Sequence, residues 1–181
     1  GEDRVKLLQS IISNDILSLQ PGQGRYSSLL THKGKMLTYF RLYMQTEAVM
    51  LEDAGEIGDA TFQALRKFLL YGVKAKMENC AESWGLLLIS GPKAAHVVQS
   101  AFGVDVTDLK PVDFVTAQIG GHHALVLCTE ETGEVDIEVL LPVDSLLTTW
   151  TSVMQAGEKF GIRAIGSHAR EALRIEAGIP K

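Results

Sequence analysis

The chain has 181 residues and a mass of 19.7 kDa, with 17 Lys and Arg against 22 Asp and Glu, so its formal net charge is −5. Hydrophobic residues make up 46% of the chain and charged residues 22%, which excludes intrinsic disorder over most of its length. The acidic balance, with no basic block beyond residues 32–35, argues against nucleic acid as a partner.

Targeting signals and cysteine usage indicate the compartment. No apolar run comes close to the roughly 18 residues that a membrane-spanning helix needs, and residues 1–4 do not open a signal peptide. We therefore expect a soluble cytoplasmic protein with no membrane partner. Cys80 and Cys128 are too far apart for a CxxC pair or a local metal cluster, and both are expected to be buried thiols in a reducing compartment.

The first half of the chain predicts two helices and three strands. Apolar residues recur at helical spacing over residues 3–13, and residues 21–24 (Pro-Gly-Gln-Gly) then break the chain. The predicted strands are residues 25–31, 35–44 and 48–51, the first two joined as a hairpin. The chain continues through Gly55 and Gly58 to a second helix, with Asp59 as its expected N-cap and Gly72 near its C-cap.

The second half predicts four strands and three helices. The predicted strands are residues 84–89, 114–119, 123–128 and 135–141. The predicted helices are residues 91–102, a helix capped by Asp144, and residues 167–176 capped by Ser167. The strands come mainly as hairpin-joined pairs, which favours an α+β fold with antiparallel sheets over a doubly wound parallel sheet.

A sequence pattern recurs in the two halves. Residues 7–10 (LLQS), followed by Asp15, Leu19 and Pro21, correspond to residues 97–100 (VVQS), followed by Asp105, Leu109 and Pro111, at a constant offset of 90 residues. The offset predicts an internal duplication, with half-units of about residues 1–80 and 81–181, neither expected to be stable alone. The alternative is that two short helices ending in similar turns agree by chance.

Several motifs resemble those of one family over essentially the whole chain. Residues 169–180, AREALRIEAGIP, closely resemble the ARDxLRxEAGxP signature of the folate-binding T-protein/YgfZ family. Residues 132–139, TGEVDIEV, resemble the family's TGEDGYEI strand. The family's opening motif, TND…PGxxxY…xxGxxx, resembles four segments of this chain: Asn14-Asp15, Pro21-Gly22, Arg25-Tyr26 and Lys33-Gly34-Lys35.

The resemblance implies a fold, a ligand and two functions. The family comprises the aminomethyltransferase of the glycine cleavage system and the YgfZ-like proteins associated with iron–sulfur enzyme maintenance, and both bind tetrahydrofolate. Residues 1–181 would then form one folate-binding module of two related α+β half-units. Family members usually continue into a small C-terminal β-barrel domain, which we expect this chain to lack.

The resemblance also places three site residues. It puts the pterin-binding glutamate at Glu138, the ligand-contacting arginine at Arg170 and the family's site tyrosine at Tyr26. A carboxylate can accept two parallel hydrogen bonds from the amino group and ring N–H of a pterin. Arg170 and Arg174 lie one turn apart on a helix face, and together they could bind a carboxylate such as a folate glutamyl tail.

Each of these residues has a plainer interpretation. Strand alternation puts Glu138 on one face with Asp136 and Leu140, and that face could simply be solvated. Arg174 could pair locally with Glu171 or be exposed. Tyr26 could stack on a ring, or it could belong to the core, as aromatic residues on strands often do.

The chain departs from the transferase motif GGxxDD. Thr38 and Tyr39 occupy the two acidic positions, and the second aspartate is the residue expected to position aminomethyl transfer. A tyrosine with a pKa near its usual value of about 10 supplies no carboxylate at neutral pH. Asp53 is the nearby acid that could substitute from another direction. No catalytic residue is therefore assigned.

Taken together, these patterns predict a tetrahydrofolate-binding, YgfZ-like protein, with an iron–sulfur or carrier protein as a possible partner. The alternatives are an aminomethyltransferase of the glycine cleavage type and a non-catalytic partner-docking domain. No metal site is expected, because His122 and His123 are adjacent on a strand and point to opposite faces, with no further ligand nearby.

Overall fold

The computed structural model describes residues 1–53 and 58–179. Gly55 and Pro180, which belong to the predicted loop and the C-terminal signature, lie outside these residues. The chain divides into two compact units, Gly1–Ala81 and Glu82–Lys181. Across the described ranges, no helix is long and apolar enough to cross a membrane.

The first unit is a three-stranded antiparallel sheet with two helices. Its elements are α1 (Arg4–Ile11), β1 (Gly24–Leu30), β2 (Met36–Met44), β3 (Val49–Asp53) and α2 (Gly58–Arg66). The strand order is β1-β2-β3. One face of the sheet, with Phe40 and Leu42, packs with Leu8 of α1 and Leu65 of α2. The strand pairing confirms the predicted hairpin and third strand. They were predictable because a sheet that buries one face needs apolar side chains at alternate positions, as the sequence shows.

The second unit is a four-stranded antiparallel sheet with helices on one face. Its elements are β4 (Trp84–Ser90), α3 (Ala94–Phe102), β5 (Phe114–Ile119), β6 (His122–Thr129), β7 (Asp136–Pro142), α4 (Leu146–Gly157) and α5 (Ser167–Glu176). The strand order is β4-β7-β6-β5. Ile137 and Val139 of β7 pack with Val98 of α3 and Val153 of α4. The predicted α+β antiparallel fold is confirmed.

Four predicted caps are wrong. Asp59 lies inside the first turn of α2, which begins at Gly58, so it is not the N-cap of that helix. Asp144 lies inside a 3₁₀ turn, Val143–Ser145, that precedes α4, and it makes no capping bond there. Ser167 is the first residue of α5, with Gly166 at the N-cap position. α2 ends at Arg66, so Gly72 lies too far along the chain to be its C-cap. Local sequence predicts the helices better than their ends, because tertiary packing decides where a helix stops.

The two cysteines differ in environment. Cys128 is buried, as predicted, but Cys80 is only partly buried in a segment without regular structure. Burial raises the pKa of the Cys128 thiol, and the nearby carboxylates of Glu130, Asp136 and Asp113 raise it further.

The 90-residue offset extends to the backbone of the two units. α1 begins at Arg4 and α3 at Ala94, while β1 begins at Gly24 and β5 at Phe114. Backbone hydrogen bonds repeat at the same offset. They are Leu19 N to Ile16 O and Leu109 N to Val106 O, then Gln23 N to Gln20 O and Asp113 N to Lys110 O.

The same turn precedes the hairpin in each unit. Gly22 N–H donates to Met44 O at 3.0 Å, and Val112 N–H donates to Cys128 O at 2.7 Å. Both residues are left-handed, with φ of +94° at Gly22 and +71° at Val112. A β-branched residue is strained there, so the second unit retains the turn at a cost that Gly22 avoids in the first.

The acidic turns also correspond. The Ser18 hydroxyl donates to Asp15, and the Thr107 hydroxyl donates to Asp105, each at 2.6 Å. These hydrogen bonds lower the pKa of both carboxyl groups. The sequence repeat therefore reflects a shared local structure, and its origin by duplication stays an interpretation.

We predict that Gly22→Ala destabilises the chain by about 1 to 2 kcal/mol, because a Cβ disfavours the left-handed conformation that the turn needs. Chemical denaturation measures the change. Gly166→Ala is the matched control, since Gly166 has φ −92° and open space around its Cβ position. The control is expected to cost less, no more than about 1 kcal/mol, because alanine is a poorer N-cap than glycine but meets no backbone strain at this φ. Equal effects of the two substitutions would contradict the role given to the turn.

Candidate functional site

Glu138 lies at the centre of the second sheet. It pairs with Leu88 of β4 and Leu127 of β6, on the face opposite to the one that packs against α3 and α4. Its side chain is fully buried, at 0% exposure. The solvated-strand interpretation is therefore wrong, because β7 is flanked by strands on both sides and both of its faces are covered.

Asp136 fixes the loop that precedes β7. The backbone N–H and the hydroxyl of Thr132 both donate to its carboxylate, each at 2.7 Å. The Ser90 hydroxyl lies 2.8 Å from the Thr132 hydroxyl, whose proton is directed to Asp136, so Ser90 is the donor. Asp136 is fully buried. Sequence reasoning assigned Asp136 to a strand face and missed this anchoring role.

The loop contacts the C-terminal helix at two places. Arg170 of α5 forms an ion pair with Glu131. A Cβ added at Gly133 would lie 2.8 Å from the Ala177 Cβ, so the glycine permits close contact with the end of α5. The two most specific sequence motifs, TGE and EAG, are thus adjacent within the second unit.

Arg174 has a local structural role. Its Nε and Nη2 donate to the two carboxylate oxygens of Glu171 at 3.0 and 2.6 Å. Its Nη1 donates to the Ile179 carbonyl oxygen. The plainer interpretation of Arg174 is confirmed, so the predicted arginine pair is not directed at one ligand: Arg170 is held by Glu131 and Arg174 by Glu171.

An open cleft of about 610 Å³ lies beside this loop. Its lining residues are Cys128, Thr129, Glu130, Gly133, Glu134, Val135 and Ile179. Neither Glu138 nor Arg170 lines the cleft. The structure therefore gives the cleft and the predicted site residues separate positions.

Tyr26 stacks on Tyr39 in the first unit. Their ring centroids are 5.5 Å apart and the ring planes differ by 7°. They come from neighbouring strands, where Tyr26 pairs with Arg41 and Ser28 pairs with Tyr39. Tyr39 is 50% exposed and Tyr26 is half-buried. Tyr26 thus contacts the residue that the motif resemblance places at the position of the transferase aspartate.

A charged cluster on the same sheet face was missed by sequence reasoning. Arg41 Nη2 donates to Glu52 Oε1 at 2.6 Å, and the Tyr43 hydroxyl donates to Glu52 Oε2 at 2.8 Å. Strand alternation puts Arg41 and Tyr43 on the face of Tyr39. The predicted third strand ended at residue 51, so Glu52, one residue further, had no assigned face.

The two motif positions without a carboxylate lie on opposite faces of β2. Thr38 is buried and its hydroxyl hydrogen-bonds the Thr61 hydroxyl of α2 at 2.6 Å. Asp53 pairs with Phe40 in register, so it shares the helix-packed face. Asp53 is therefore on the wrong face to replace the carboxylate at Tyr39.

Within residues 1–53 and 58–179, no group of three or more His, Cys, Asp or Glu is placed to hold a metal ion. His122 and His123 begin β6, opposite Ile119 and Gln118, and both are exposed. Their adjacent positions direct them to opposite faces of the sheet.

Comparison with known proteins defines the class of this chain. It matches the GCVT N-terminal domain over residues 1–181, and it belongs to this family. The family resemblance that the motifs indicated is thereby confirmed.

Similar individual proteins are named aminomethyltransferases. The chain is 30% identical over 184 residues to the "Aminomethyltransferase" of Prosthecochloris aestuarii, covering 99% of this chain and 50% of that protein. It is 29% identical over 183 residues to that of Bacillus subtilis, covering 99% and 50%. Among solved structures, it resembles the glycine cleavage system aminomethyltransferase T from Bartonella henselae, with a TM-score of 0.81 and 26% identity over 99% of this chain and 47% of the other. The chain spans about half the length of the relatives it matches.

We predict that Gly133→Ala costs more stability than Gly161→Ala. Both glycines have positive φ, +78° and +80°, but only Gly133 of the pair has a neighbour within 4 Å of its Cβ position. The control should cost about 1 to 2 kcal/mol from backbone strain, and Gly133→Ala should add a steric cost of about 1 kcal/mol or more.

Thermal and chemical denaturation measure both variants. Because the clash at Gly133 is with the Ala177 methyl group, Gly133→Ala combined with Ala177→Gly should recover part of the additional loss. Strictly additive effects would contradict the contact between the loop and α5.

Proposed function

We propose that this chain is the folate-binding region of an aminomethyltransferase of the glycine cleavage type and that it binds tetrahydrofolate. The relatives that match over 98–99% of the chain are named aminomethyltransferases. Their names favour this function over the YgfZ-like role in iron–sulfur enzyme maintenance that the sequence analysis placed first. An aminomethylated carrier protein would be the second substrate.

The observation that supports the proposal most directly is the position of Glu138. A carboxylate at 0% exposure in the middle of a sheet is costly to keep unless its oxygens accept hydrogen bonds. A carboxylate has acceptor sites for about four hydrogen bonds. The proposal assigns part of this capacity to a parallel pair from the amino group and ring N–H of a pterin, in addition to the contacts of Glu138 within the chain, and it requires the side chains that cover Glu138 to admit the ligand.

Arg170 and Tyr26 have supporting parts in the proposal. Arg170 has five N–H donors, and its side chain is 44% exposed beside Glu131. It can hold α5 to the loop and still donate to a folate carboxylate. Tyr26 offers its ring for stacking, together with Tyr39.

A second candidate is folate binding without transfer. It is favoured by the side chains at the two acidic motif positions, because Thr38 is bonded to Thr61 and Tyr39 is stacked on Tyr26. Neither residue supplies the negative charge that a transferase aspartate would place beside the reacting carbon. A third candidate is a partner-docking domain that binds no folate, and the experiments must distinguish it from the two folate-binding candidates.

We predict that tetrahydrofolate at about 100 times its Kd raises the free energy of unfolding by about 2.7 kcal/mol. Differential scanning fluorimetry of the chain with and without the ligand measures the corresponding rise in Tm. An unchanged Tm at saturating ligand would contradict folate binding and would favour the partner-docking domain.

Glu138→Gln should weaken tetrahydrofolate binding by about 1 to 3 kcal/mol, because one acceptor oxygen becomes a donor while the shape is retained. Isothermal titration calorimetry measures the affinity, and circular dichroism checks the fold. Glu158→Gln is the matched control, since Glu158 is an exposed glutamate of the same unit. Equal affinity in the two variants would remove Glu138 from the site.

Turnover separates transfer from binding alone. The chain is incubated with tetrahydrofolate and an aminomethylated carrier protein, and methylenetetrahydrofolate is measured. The corresponding half of the Bacillus subtilis relative, made in the same way, is the positive control. If both this chain and the half of the relative form methylenetetrahydrofolate, the aminomethyltransferase is supported. If both bind tetrahydrofolate but only the half of the relative forms the product, folate binding without transfer is supported.

A further inference from the structure

The stacked tyrosines of the first unit form a surface that is partly open. Tyr26 lies parallel to Tyr39 at a centroid separation of 5.5 Å, so one face of the Tyr39 ring is covered by an aromatic neighbour. Half of the Tyr39 surface remains exposed. A second flat ring can therefore approach Tyr39 without displacing Tyr26.

The backbone holds this pair in place before any ligand arrives. Both tyrosines lie inside paired strands of one sheet, opposite Arg41 and Ser28. A tyrosine has two side-chain torsions, and stacking on a neighbour restricts both, so little conformational entropy remains to be lost on binding.

The charges of Arg41 and Glu52, beside the pair on the same sheet face, compensate one another. Arg41 and Glu52 form an ion pair at 2.6 Å, with side chains only 10% and 19% exposed, and Tyr43 donates to the same carboxylate. The Arg41–Glu52 pair thus adds no net charge to this face. This sheet face is suited to an uncharged aromatic group rather than to an ionic one.

We propose that Tyr39, supported by Tyr26, is a specificity-determining residue that binds a flat conjugated ring of the ligand by stacking. The inference rests on the proposed function, in which that ring belongs to a folate. A folate has two such rings: the p-aminobenzoyl ring, which is flat at every oxidation state, and the pterin, whose second ring is flat when oxidised and buckled when reduced. Stacking favours flat partners, because the two π-systems must approach in parallel.

The test compares Tyr39→Leu, which removes the ring and keeps an apolar side chain, with Tyr39→Phe, which keeps the ring. Tyr71→Leu is the matched control, because Tyr71 is a fully exposed tyrosine of the same unit. Titration calorimetry of each variant uses tetrahydrofolate, p-aminobenzoylglutamate and 6-hydroxymethylpterin. Tyr39→Leu should weaken tetrahydrofolate binding about tenfold, while Tyr39→Phe and Tyr71→Leu should stay within about twofold of the parent chain.

The fragments identify the source of the ring. Loss of affinity for p-aminobenzoylglutamate in Tyr39→Leu assigns the p-aminobenzoyl ring, and loss for the pterin fragment assigns the pterin. As an independent measurement, the ring protons of the bound ligand should shift upfield in the proton spectrum of its complex with the parent chain. This shift needs no variant, so it tests the proposal even if Tyr39→Leu is unstable.

Two results would overturn the inference and are distinguishable. If the parent chain binds tetrahydrofolate and Tyr39→Leu binds it equally well, or if no upfield shift occurs, stacking on Tyr39 is wrong and folate binding stands. If the parent chain binds no folate and neither fragment, the proposed function fails and the inference fails with it.

Discussion

The carboxylate of Asp136 is the constraint on which the second unit's motifs depend. It accepts two hydrogen bonds from Thr132 and is fully buried. These bonds hold the start of the loop, at Thr132, against the first residue of β7. Breaking one member of a buried network leaves the other unsatisfied, at a cost of about 1 to 3 kcal/mol. The position of Glu131 beside Arg170, and of Gly133 beside Ala177, follows from that anchor.

This arrangement explains why two distant motifs occur together in one chain. The TGE segment supplies a glycine with positive φ and no side chain, and the EAG segment supplies the small residue that packs against it. A larger side chain at either position would separate α5 from the loop. Arg170 forms its ion pair with Glu131 of the same loop and stays 44% exposed, so a role in holding α5 and a role in contacting a ligand are compatible for the same guanidinium group.

Sequence reasoning predicted the strands and helices well because each unit buries one sheet face, and burial imposes a period of two on the strands. It also placed Glu138 correctly with Asp136 and Leu140, away from the helix-packed Ile137 and Val139. The burial of that second face was not predictable, since a strand of alternating polar and apolar residues has the same pattern whether its polar face is covered or solvated. Glu52 was missed for a related reason: strand ends are set by pairing with a neighbour, and β3 continues opposite β2 to Asp53.

By the motif resemblance, Tyr39 stands where the transferase motif has a carboxylate, and that difference would change what its sheet face can do. Among the described strand residues, Glu52 is an acid on this face, and its two oxygens accept from Arg41 and Tyr43. The opposite charges of an ion pair largely cancel at a distance. Such a pair therefore does little to stabilise a charge that develops elsewhere on the face. Asp53 lies on the opposite face of the sheet, so it does not restore the missing charge. What the face retains is aromatic surface, and this favours recognition of a ring over electrostatic assistance to a reacting carbon.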